Sequence, residues 1–205
     1  MSAVPRGPES FIDRITRAMH AHVPTPAERD EPFREAGVAL VLRPHGATDA
    51  DLLLIRRAER AGDPWSGQVA LPGGRYSATD NSLEDTAVRE TLEEVGLDLR
   101  ANGTVLGALD DLRPRTPALP PIIVRPFVCV VPEPPPLELN YEVAASRWIP
   151  VSELFAPSAR VQTTVEVRDL HLRVDAYLVD DYLVWGMTER ILFTLQHLSN
   201  SNEAD

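Results

Sequence analysis

The sequence predicts an α/β fold in which a mixed sheet lies between helices. Apolar strand candidates and amphipathic helix candidates alternate along the 205 residues, but without the regular βαβ period of a doubly wound sheet. Several neighbouring strand candidates are separated by only a few turn-forming residues, which favours antiparallel pairing. The length suffices for one domain with a proper core. We therefore expect one domain with a mixed, largely antiparallel sheet.

The first part of the chain predicts an N-terminal helix followed by a strand hairpin. Apolar side chains at helical spacing predict a docking helix over 10–20, and this helix and the charged linker after it form an N-terminal segment, 1–34. Two apolar strands, at 37–42 and 52–56, would pair as a hairpin across a polar turn. A short strand from Gln68 then leads into a pair of glycines.

The second part of the chain is rich in strand candidates. The strongest is 122–131, where Pro126 predicts an edge position or a bulge because proline lacks a backbone N–H. An amphipathic helix is predicted at 187–198, followed by a loose polar tail, 199–205. The main domain would therefore span 35–198. Its other strand candidates are 105–109, 161–167, 170–178 and 182–185, and those at 161–167 and 170–178 would pair across a short turn.

Composition argues against several functional classes. A net charge of −11 lacks the positive footprint of a general nucleic-acid-binding protein. The sequence shows neither a signal peptide nor an apolar run of eighteen residues, so we expect a cytoplasmic protein without a membrane partner. Cys129 is the only cysteine and stands among valines, which predicts a buried core thiol and excludes an intrachain disulfide.

The stretch 73–97, GGRYSATDNSLEDTAVRETLEEVGL, contains the candidate chemistry. It predicts a helix that begins after a cap at Ser82, which has capping-box spacing to Asp85, with Asn81 as the alternative cap. Gly96 is suited to the position just past the helix end, where a left-handed backbone conformation is cheap for glycine.

Three glutamates share one face of this helix, because Glu90, Glu93 and Glu94 stand at i, i+3 and i+4. Like charges at these spacings repel, and a hard divalent cation such as Mg²⁺ would relieve the repulsion. Three glutamates alone are more often a solvated acidic face. The upstream pair Gly73 and Gly74, where backbone can approach a ligand closely, favours a metal site instead.

The glycine pair, the arginine before the first glutamate, the three glutamates and the closing Gly96 fall in an order that resembles the Nudix box of the Nudix hydrolase family. The match has departures. Asn81 stands where the box has a further glutamate, and Asp80 lies six residues beyond Gly74. The Asp80 variant with its longer loop is similar to the coenzyme A pyrophosphatase branch, although Ser77 stands where that branch usually has another aspartate.

The resemblance implies the α/β/α sandwich of Nudix proteins and metal-dependent hydrolysis of a diphosphate linkage. A bound metal would polarise the phosphate and activate a water molecule. By family analogy Arg89 would orient a glutamate, and the catalytic base is open between Glu93 and Glu142. The implied ligands of Mg²⁺ or Mn²⁺ are the three helix glutamates, Glu90, Glu93 and Glu94.

Candidate substrate-binding residues flank the box. Gly73 and Gly74 would shape the loop below the metals. Trp65 either covers the edge of the core or stacks on a flat substrate group. Three arginines could hold substrate phosphates, with plain solvated charges as the alternative: Arg56, Arg57 and Arg60.

The segment 67–74, GQVALPGG, is similar to the end of the upstream signature of the coenzyme A branch, with Leu71 in place of phenylalanine. The second arginine of that signature is out of register, since Asp63 stands four residues before Gly67. Despite that mismatch, the resemblance implies coenzyme A or a thioester of it as the leading substrate, cleaved to 3′,5′-ADP and (acyl-)phosphopantetheine.

Other functions remain open at this point. A pyrophosphatase for ADP-ribose, a nucleoside diphosphate sugar or a dinucleotide is the main alternative. A non-catalytic nucleotide-binding regulator is disfavoured because all three box glutamates are present, and an RNA-cap hydrolase is disfavoured by the acidic charge. The expected partner is a small nucleotide, and a homodimer is implied only by family analogy.

Overall fold

The computed structural model describes residues 8–61, 65–114, 121–167 and 170–200. Asp63 lies outside these ranges, as does most of the predicted C-terminal tail. The chain forms a mixed seven-stranded sheet between helices, so the α/β prediction is confirmed. The seven strands are β1 (Arg34–His45), β2 (Asp49–Arg57), β3 (Val69–Ala70), β4 (Gly73–Arg75), β5 (Thr104–Ala108), β6 (Ile122–Val130) and β7 (Val143–Pro150).

In the described part of the chain, five α-helices, a short 3-10 helix (Pro157–Ala159) and a second sheet complete the fold. The second sheet is antiparallel and consists of β8 (Arg160–Val167), β9 (Leu170–Val179) and β10 (Tyr182–Trp185). The sequence predicts the β8–β9 pairing but not the separation of these strands from the main sheet. The helices are α1 (Phe11–Ala21), α2 (Leu83–Val95), α3 (Leu99–Asn102), α4 (Val151–Leu154) and α5 (Gly186–Asn200).

The main sheet has the order β3-β2-β1-β6-β5, with β4 added beside β1 and β7 beside β2. The predicted hairpin of β1 and β2 is confirmed, with Leu42 opposite Leu52. The β1–β6 ladder is parallel and long, running from Arg34 opposite Ile122 to Leu42 opposite Val130. The other strand pairs of this sheet are antiparallel.

Strand β6 lies inside the sheet, between β1 and β5, so the edge position predicted from Pro126 is wrong. The oxygen of Pro126 accepts a hydrogen bond from the nitrogen of Leu109. The proline nitrogen therefore faces the same side, just past the end of β5 at Ala108, so the missing N–H interrupts the β5–β6 pairing at its end and not in its interior. The pair does contain a register irregularity, but it lies in β5, between Val105 and Gly107.

The two faces of the main sheet bury separate cores. On one face, Leu40 and Leu42 pack with α1, α5 and the second sheet. On the other face, Ala39 and Val41 pack with α2 and α3. This alternation follows from the two-residue period of a strand. Cys129 is buried in the second core and burial raises its pKa to about 12, as expected for a structural thiol.

Two boundaries differ from those predicted. Helix α5 continues to Asn200, and Ser199 is buried, with its hydroxyl donating to the oxygen of Gln196. Ser199 and Asn200 therefore belong to helix α5 and not to the loose tail predicted from Ser199. Helix α3, capped by Asp98, is an additional element. Within the described ranges, no helix is both long and apolar enough to cross a membrane.

Candidate active site

Helix α2 is held at both ends as its sequence predicts. The hydroxyl of Ser82 accepts a hydrogen bond from the nitrogen of Asp85 at 3.1 Å, and Gly96 adopts the left-handed conformation with a φ of 70°. The helix lies tightly against β1, because a Cβ at Gly37 would come within 2.1 Å of the oxygen of Leu83. This close packing fixes where the glutamates of α2 project.

Glu94 is the deepest of the three glutamates, with 2% of its surface exposed. Its Oε2 accepts a hydrogen bond from the backbone nitrogen of Gly73 at 2.9 Å. Burial raises the pKa of Glu94 to about 7, against the opposing effects of the Gly73 hydrogen bond and the positive charge of Arg57. The negative charges of Glu90 and Glu142 raise it further. Three carboxylates therefore act on one another at this point.

Glu90 lies directly against the other glycine of the pair. A Cβ built on Gly74 would stand 2.3 Å from the carboxyl carbon of Glu90, so only glycine leaves room for this side chain. Arg89 donates from Nη1 to Oε1 of Glu90 at 2.9 Å. Burial nevertheless raises the pKa of Glu90, aided by the charges of Glu93 and Glu142.

Arg89 connects the helix to the loop before it. Its Nε and Nη2 donate to the two oxygens of Asp80 at 2.9 and 3.0 Å, a bidentate pair. Asp80 is also bonded by the hydroxyl of Thr86 and the nitrogen of Ser77. The hydrogen bonds from Arg89 are the main reason that the pKa of Asp80 is lowered far below its usual range.

Glu93 has the most exposed side chain of the three glutamates, at 54%. Its Oε2 lies 3.2 Å from Nη1 of Arg89, the nitrogen that also bonds Glu90. Among the residues that the structure describes, no three histidine, cysteine, aspartate or glutamate side chains are gathered as a ready-made metal site. Glu90 and Glu94 approach the glycine pair, whereas Glu93 turns towards Arg89.

The donor set at the glycine pair suits a hard divalent cation. It consists of carboxylate oxygens, which hard cations prefer. Burial and mutual repulsion raise the pKa of two of these carboxyl groups, those of Glu90 and Glu94. A cation would remove that repulsion and favour the ionised form of both Glu90 and Glu94. The residues present therefore fit Mg²⁺ or Mn²⁺ by their chemistry, with Glu93 available once it leaves Arg89.

Glu142 lies across from the helix, close enough to raise the pKa of both Glu90 and Glu94. It is paired with Arg60, whose Nη2 lies 3.0 Å from Oε1 of Glu142. The guanidinium of Arg60 also stacks on the ring of Tyr141, with the guanidinium carbon 5.0 Å from the ring centroid. The structure thus brings Glu142 to the glutamate cluster and gives Arg60 two protein partners.

The other two predicted arginines have different surroundings. The positive charge of Arg57 opposes the rise in the pKa of Glu94, and Arg57 lines the same cavity as the glycine pair. Arg56 contacts the turn of the second sheet, donating to the carboxylate of Asp181 at 2.6 Å and stacking on Tyr182 at 4.8 Å. A role for Arg56 in substrate binding stays a prediction, and its contacts in the structure join the two sheets.

Two residues that shape this site are not among the candidates that the sequence predicts. Asp80 enters only as a departure from the box, yet it orients Arg89. Gly37 has no signal in the sequence beyond its place at the start of a strand, because its function is the close approach of α2. A fixed spacing between an acidic residue and an arginine, nine positions here, is the pattern that could have identified Asp80.

Comparison with known proteins gives consistent results. A model of the NUDIX domain matches residues 32–168. The peroxisomal coenzyme A diphosphatase ndx-8 of Caenorhabditis elegans is 32% identical over 184 residues, which cover 87% of this chain and 74% of that protein. An uncharacterised Nudix hydrolase, NudL of Photorhabdus laumondii, is 32% identical over 189 residues, covering 91% and 96%.

Two further similarities are partial. An uncharacterised Schizosaccharomyces pombe protein, C14C4.10c, is 40% identical over 119 residues, and the match spans 56% of this chain but only 36% of that protein. A MutT/nudix family protein from Enterococcus faecalis superposes with a TM-score of 0.56 at 23% identity, covering 87% of this chain and 66% of that one. The second similarity supports the fold alone.

Proposed function

We propose that this chain, which belongs to the Nudix hydrolase family and is a pyrophosphohydrolase, cleaves coenzyme A or its thioesters to 3′,5′-ADP and (acyl-)phosphopantetheine. The observation that supports catalysis is the approach of Glu90 and Glu94 to the glycine pair. The observations that support this substrate are the segment 67–74 and the similarity to a coenzyme A diphosphatase.

Glu90 and Glu94 are the proposed first ligands of Mg²⁺ or Mn²⁺, and Glu93 is the third. When bound, the ion supplies charge neutralisation at the diphosphate and lowers the pKa of a water molecule. The protein contributes the position of its carboxylates. Gly73 fixes Glu94 through a backbone hydrogen bond, and Gly74 leaves the space that Glu90 occupies.

Arg89 is a positioning residue in this scheme. Its bidentate contact with Asp80 leaves Nη1 directed at both Glu90 and Glu93. One guanidinium nitrogen therefore donates to two carboxylates on the same helical face and holds them in position. Arg57, which lines one cavity with Gly73 and Gly74, is a proposed phosphate contact, because guanidinium groups bind phosphate through charge-assisted hydrogen bonds.

The proton acceptor for the attacking water is proposed to be Glu93 or Glu142. Glu93 is exposed and lies on the helix of the metal ligands. Glu142 lies within electrostatic reach of Glu90 and Glu94 but is paired with Arg60. Each carboxylate is paired with an arginine, Glu93 with Arg89 and Glu142 with Arg60, so either would have to separate from its partner before accepting a proton.

The experiment is product analysis with Mg²⁺ or Mn²⁺ and a substrate panel: coenzyme A, acetyl-coenzyme A, ADP-ribose, NADH, UDP-glucose and a diadenosine polyphosphate. We expect 3′,5′-ADP and phosphopantetheine from coenzyme A faster than any other product. Faster cleavage of ADP-ribose or a nucleotide sugar would replace the proposed substrate and keep the chemistry. No cleavage of any substrate would contradict the proposed substrate and favour a binding function.

The setting of the reaction is also a proposal. We expect a cytoplasmic enzyme whose partner is a small nucleotide, with a homodimer as the assembly implied by family analogy. Gel filtration with light scattering tests the assembly, since a homodimer has twice the mass of the 22.6 kDa chain. Fractionation of cells that express the chain tests the location.

A further inference from the structure

A cavity of about 510 Å³ lies between the two sheets, beside the candidate active site. One wall comes from the main sheet and includes Val38 and Val124. The opposite wall comes from β9, the end of β10 and the start of α5, and includes Leu172, Trp185 and Met187. The volume falls in the range of small-molecule sites, which is about 300–1,000 Å³.

The cavity and the active site share residues. Gly73 and Gly74 line the cavity, and the same glycines lie against Glu94 and Glu90. Arg57 lines the cavity, and its positive charge favours the ionised form of Glu94. A molecule whose diphosphate is bound at the glutamates would therefore extend into the cavity with one of the two groups that the diphosphate joins.

The chemistry of the lining indicates which half of coenzyme A would occupy the cavity, the adenosine bisphosphate or the acyl-pantetheine arm. Most of the described side chains around the cavity are aliphatic or aromatic, and two of the three tryptophans of the chain, Trp65 and Trp185, are among them. An adenosine bisphosphate buried here would leave charged and polar groups facing hydrocarbon, which is costly. An aliphatic chain would gain from removal of its surface from water.

We propose that this cavity binds the pantetheine arm and its acyl group, so that the enzyme prefers longer-chain acyl thioesters to free coenzyme A. This inference rests on the proposed function and adds a specificity site to it. Three arginines also line the cavity, Arg57, Arg75 and Arg190, and Arg57, whose charge acts on Glu94, suits the diphosphate held at the glutamates. Leu172 is the residue with which to test the preference, because it is 40% exposed and its replacement leaves the core intact.

The experiment compares Leu172→Glu with a matched control, Leu178→Glu. Both leucines lie on β9 with nearly equal exposure, 40% and 41%, but only Leu172 lines the cavity. Values of kcat/KM are measured for coenzyme A and octanoyl-coenzyme A. Binding of S-octanoyl-pantetheine, which has no diphosphate to cleave, is measured separately through tryptophan fluorescence. A circular dichroism spectrum equal to that of the wild type confirms folding.

We expect octanoyl-coenzyme A to exceed coenzyme A by about tenfold in kcat/KM in the wild type and in Leu178→Glu. Leu172→Glu should lose this preference and bind S-octanoyl-pantetheine at least about fivefold more weakly. Equal kcat/KM values for the two substrates in the wild type would overturn the inference, as would an equal loss on both in Leu172→Glu.

Failure of the proposed function gives a different result. If the wild type cleaves no form of coenzyme A, the proposed substrate is wrong. The fluorescence titration alone then tests whether the cavity binds an aliphatic ligand. Saturable binding of S-octanoyl-pantetheine that weakens only in Leu172→Glu would still support an aliphatic ligand there. Absence of binding would overturn it. If Leu172→Glu misfolds, Val174→Phe, which fills the cavity from the same strand, takes its place.

Discussion

Arg89 and Asp80 form a bidentate ion pair, with Nε–Oδ1 and Nη2–Oδ2 distances of 2.9 and 3.0 Å. The Asp80 side chain is 4% exposed and that of Arg89 is 28% exposed, so water competes little for the aspartate. The pair fixes the plane of the guanidinium. Its remaining nitrogen, Nη1, then meets the carboxylates of Glu90 and Glu93. A loop residue thereby determines where two helix carboxylates point.

Asp80→Asn is expected to lower both stability and turnover. Loss of one partner from a fully buried ion pair costs about 3–5 kcal/mol, and the partial exposure of Arg89 reduces this to about 2 kcal/mol. Turnover should fall at least tenfold because Arg89 no longer holds Glu90 and Glu93. Urea denaturation and steady-state kinetics measure the two effects. Glu133→Gln, at an exposed position outside the site, should change neither.

The same pair predicts a pH effect of defined sign. Because the pKa of Asp80 is lower in the folded protein than in the unfolded chain, its contribution to stability is complete above about pH 4. The contribution is lost as the pH falls below that value. The wild-type advantage over Asp80→Asn should therefore shrink in acid. An advantage that stays constant from pH 7 to pH 3 would contradict the ion pair as its source.

Gly74→Ala is expected to abolish most activity with a small change in stability. The added Cβ would stand 2.3 Å from the carboxyl carbon of Glu90 and displace it. The backbone of Gly74 is not in the left-handed region, so alanine itself is tolerated there. Gly46→Ala is the control, since it places alanine at a φ of 58° in open space, where it strains the turn and leaves the site intact.

A decrease in kcat of more than about 10-fold for Gly74→Ala, with Gly46→Ala near wild type, would support displacement of Glu90. Equal activities of the two variants would contradict it. A melting temperature that falls only in Gly46→Ala would separate backbone strain from damage to the site.

Glu93→Gln is expected to lose turnover while staying folded. The side chain is exposed, so its replacement leaves the core unchanged. A general base or metal ligand contributes about 10²–10⁴ in rate, and the loss should fall in that range. Glu84→Gln, in the first turn of the same helix, serves as the control. Unchanged turnover in Glu93→Gln would remove Glu93 from the mechanism and direct attention to Glu142.

Glu94→Gln is expected to stabilise the metal-free protein at high pH. The pKa of Glu94 is about 7 in the folded state against an ordinary value of 4.5, so folding favours its protonated form. Stability from this group is complete below about pH 4.5 and is lost as the pH rises through 7. The loss amounts to roughly 3 kcal/mol, which Glu94→Gln should recover at pH 8.

The matched measurement adds Mg²⁺ or Mn²⁺ to both proteins at pH 8. A cation bound by the ionised Glu94 should raise the melting temperature of the wild type and leave Glu94→Gln almost unchanged. Equal shifts in the two proteins would show that the ion binds elsewhere. A metal-free wild type as stable at pH 8 as at pH 5 would contradict the raised pKa of Glu94.

Local features of the site could be predicted from sequence because they depend on neighbouring residues. Ser82 and Gly96 mark the helix ends through backbone hydrogen bonding and backbone conformation, and the structure confirms both. The shared face of the three glutamates follows from helical geometry. Their use as metal ligands, and the roles of Arg89 and Glu142, stay predictions that the variants above address.

Features that depend on distant contacts could not be predicted. Pro126 indicates an edge strand by local rules, but the chain places β5 so that it ends before the proline nitrogen. Arg56 and Arg60 look alike in sequence, yet one pairs with Asp181, 125 residues away, and the other with Glu142, 82 residues away. Such pairings require the sheet order, which local patterns do not determine.

The parallel pairing of β1 with β6 has a consequence for synthesis on the ribosome. Residues 34–42 must wait for residues 122–130 before the central ladder can form. Until then, the apolar hairpin of β1 and β2 has an open edge, a condition in which strands associate with other chains. Pairings so distant in sequence also slow folding. Nascent chains that stop before β6 should therefore bind chaperones, and those that extend past Val130 should be released.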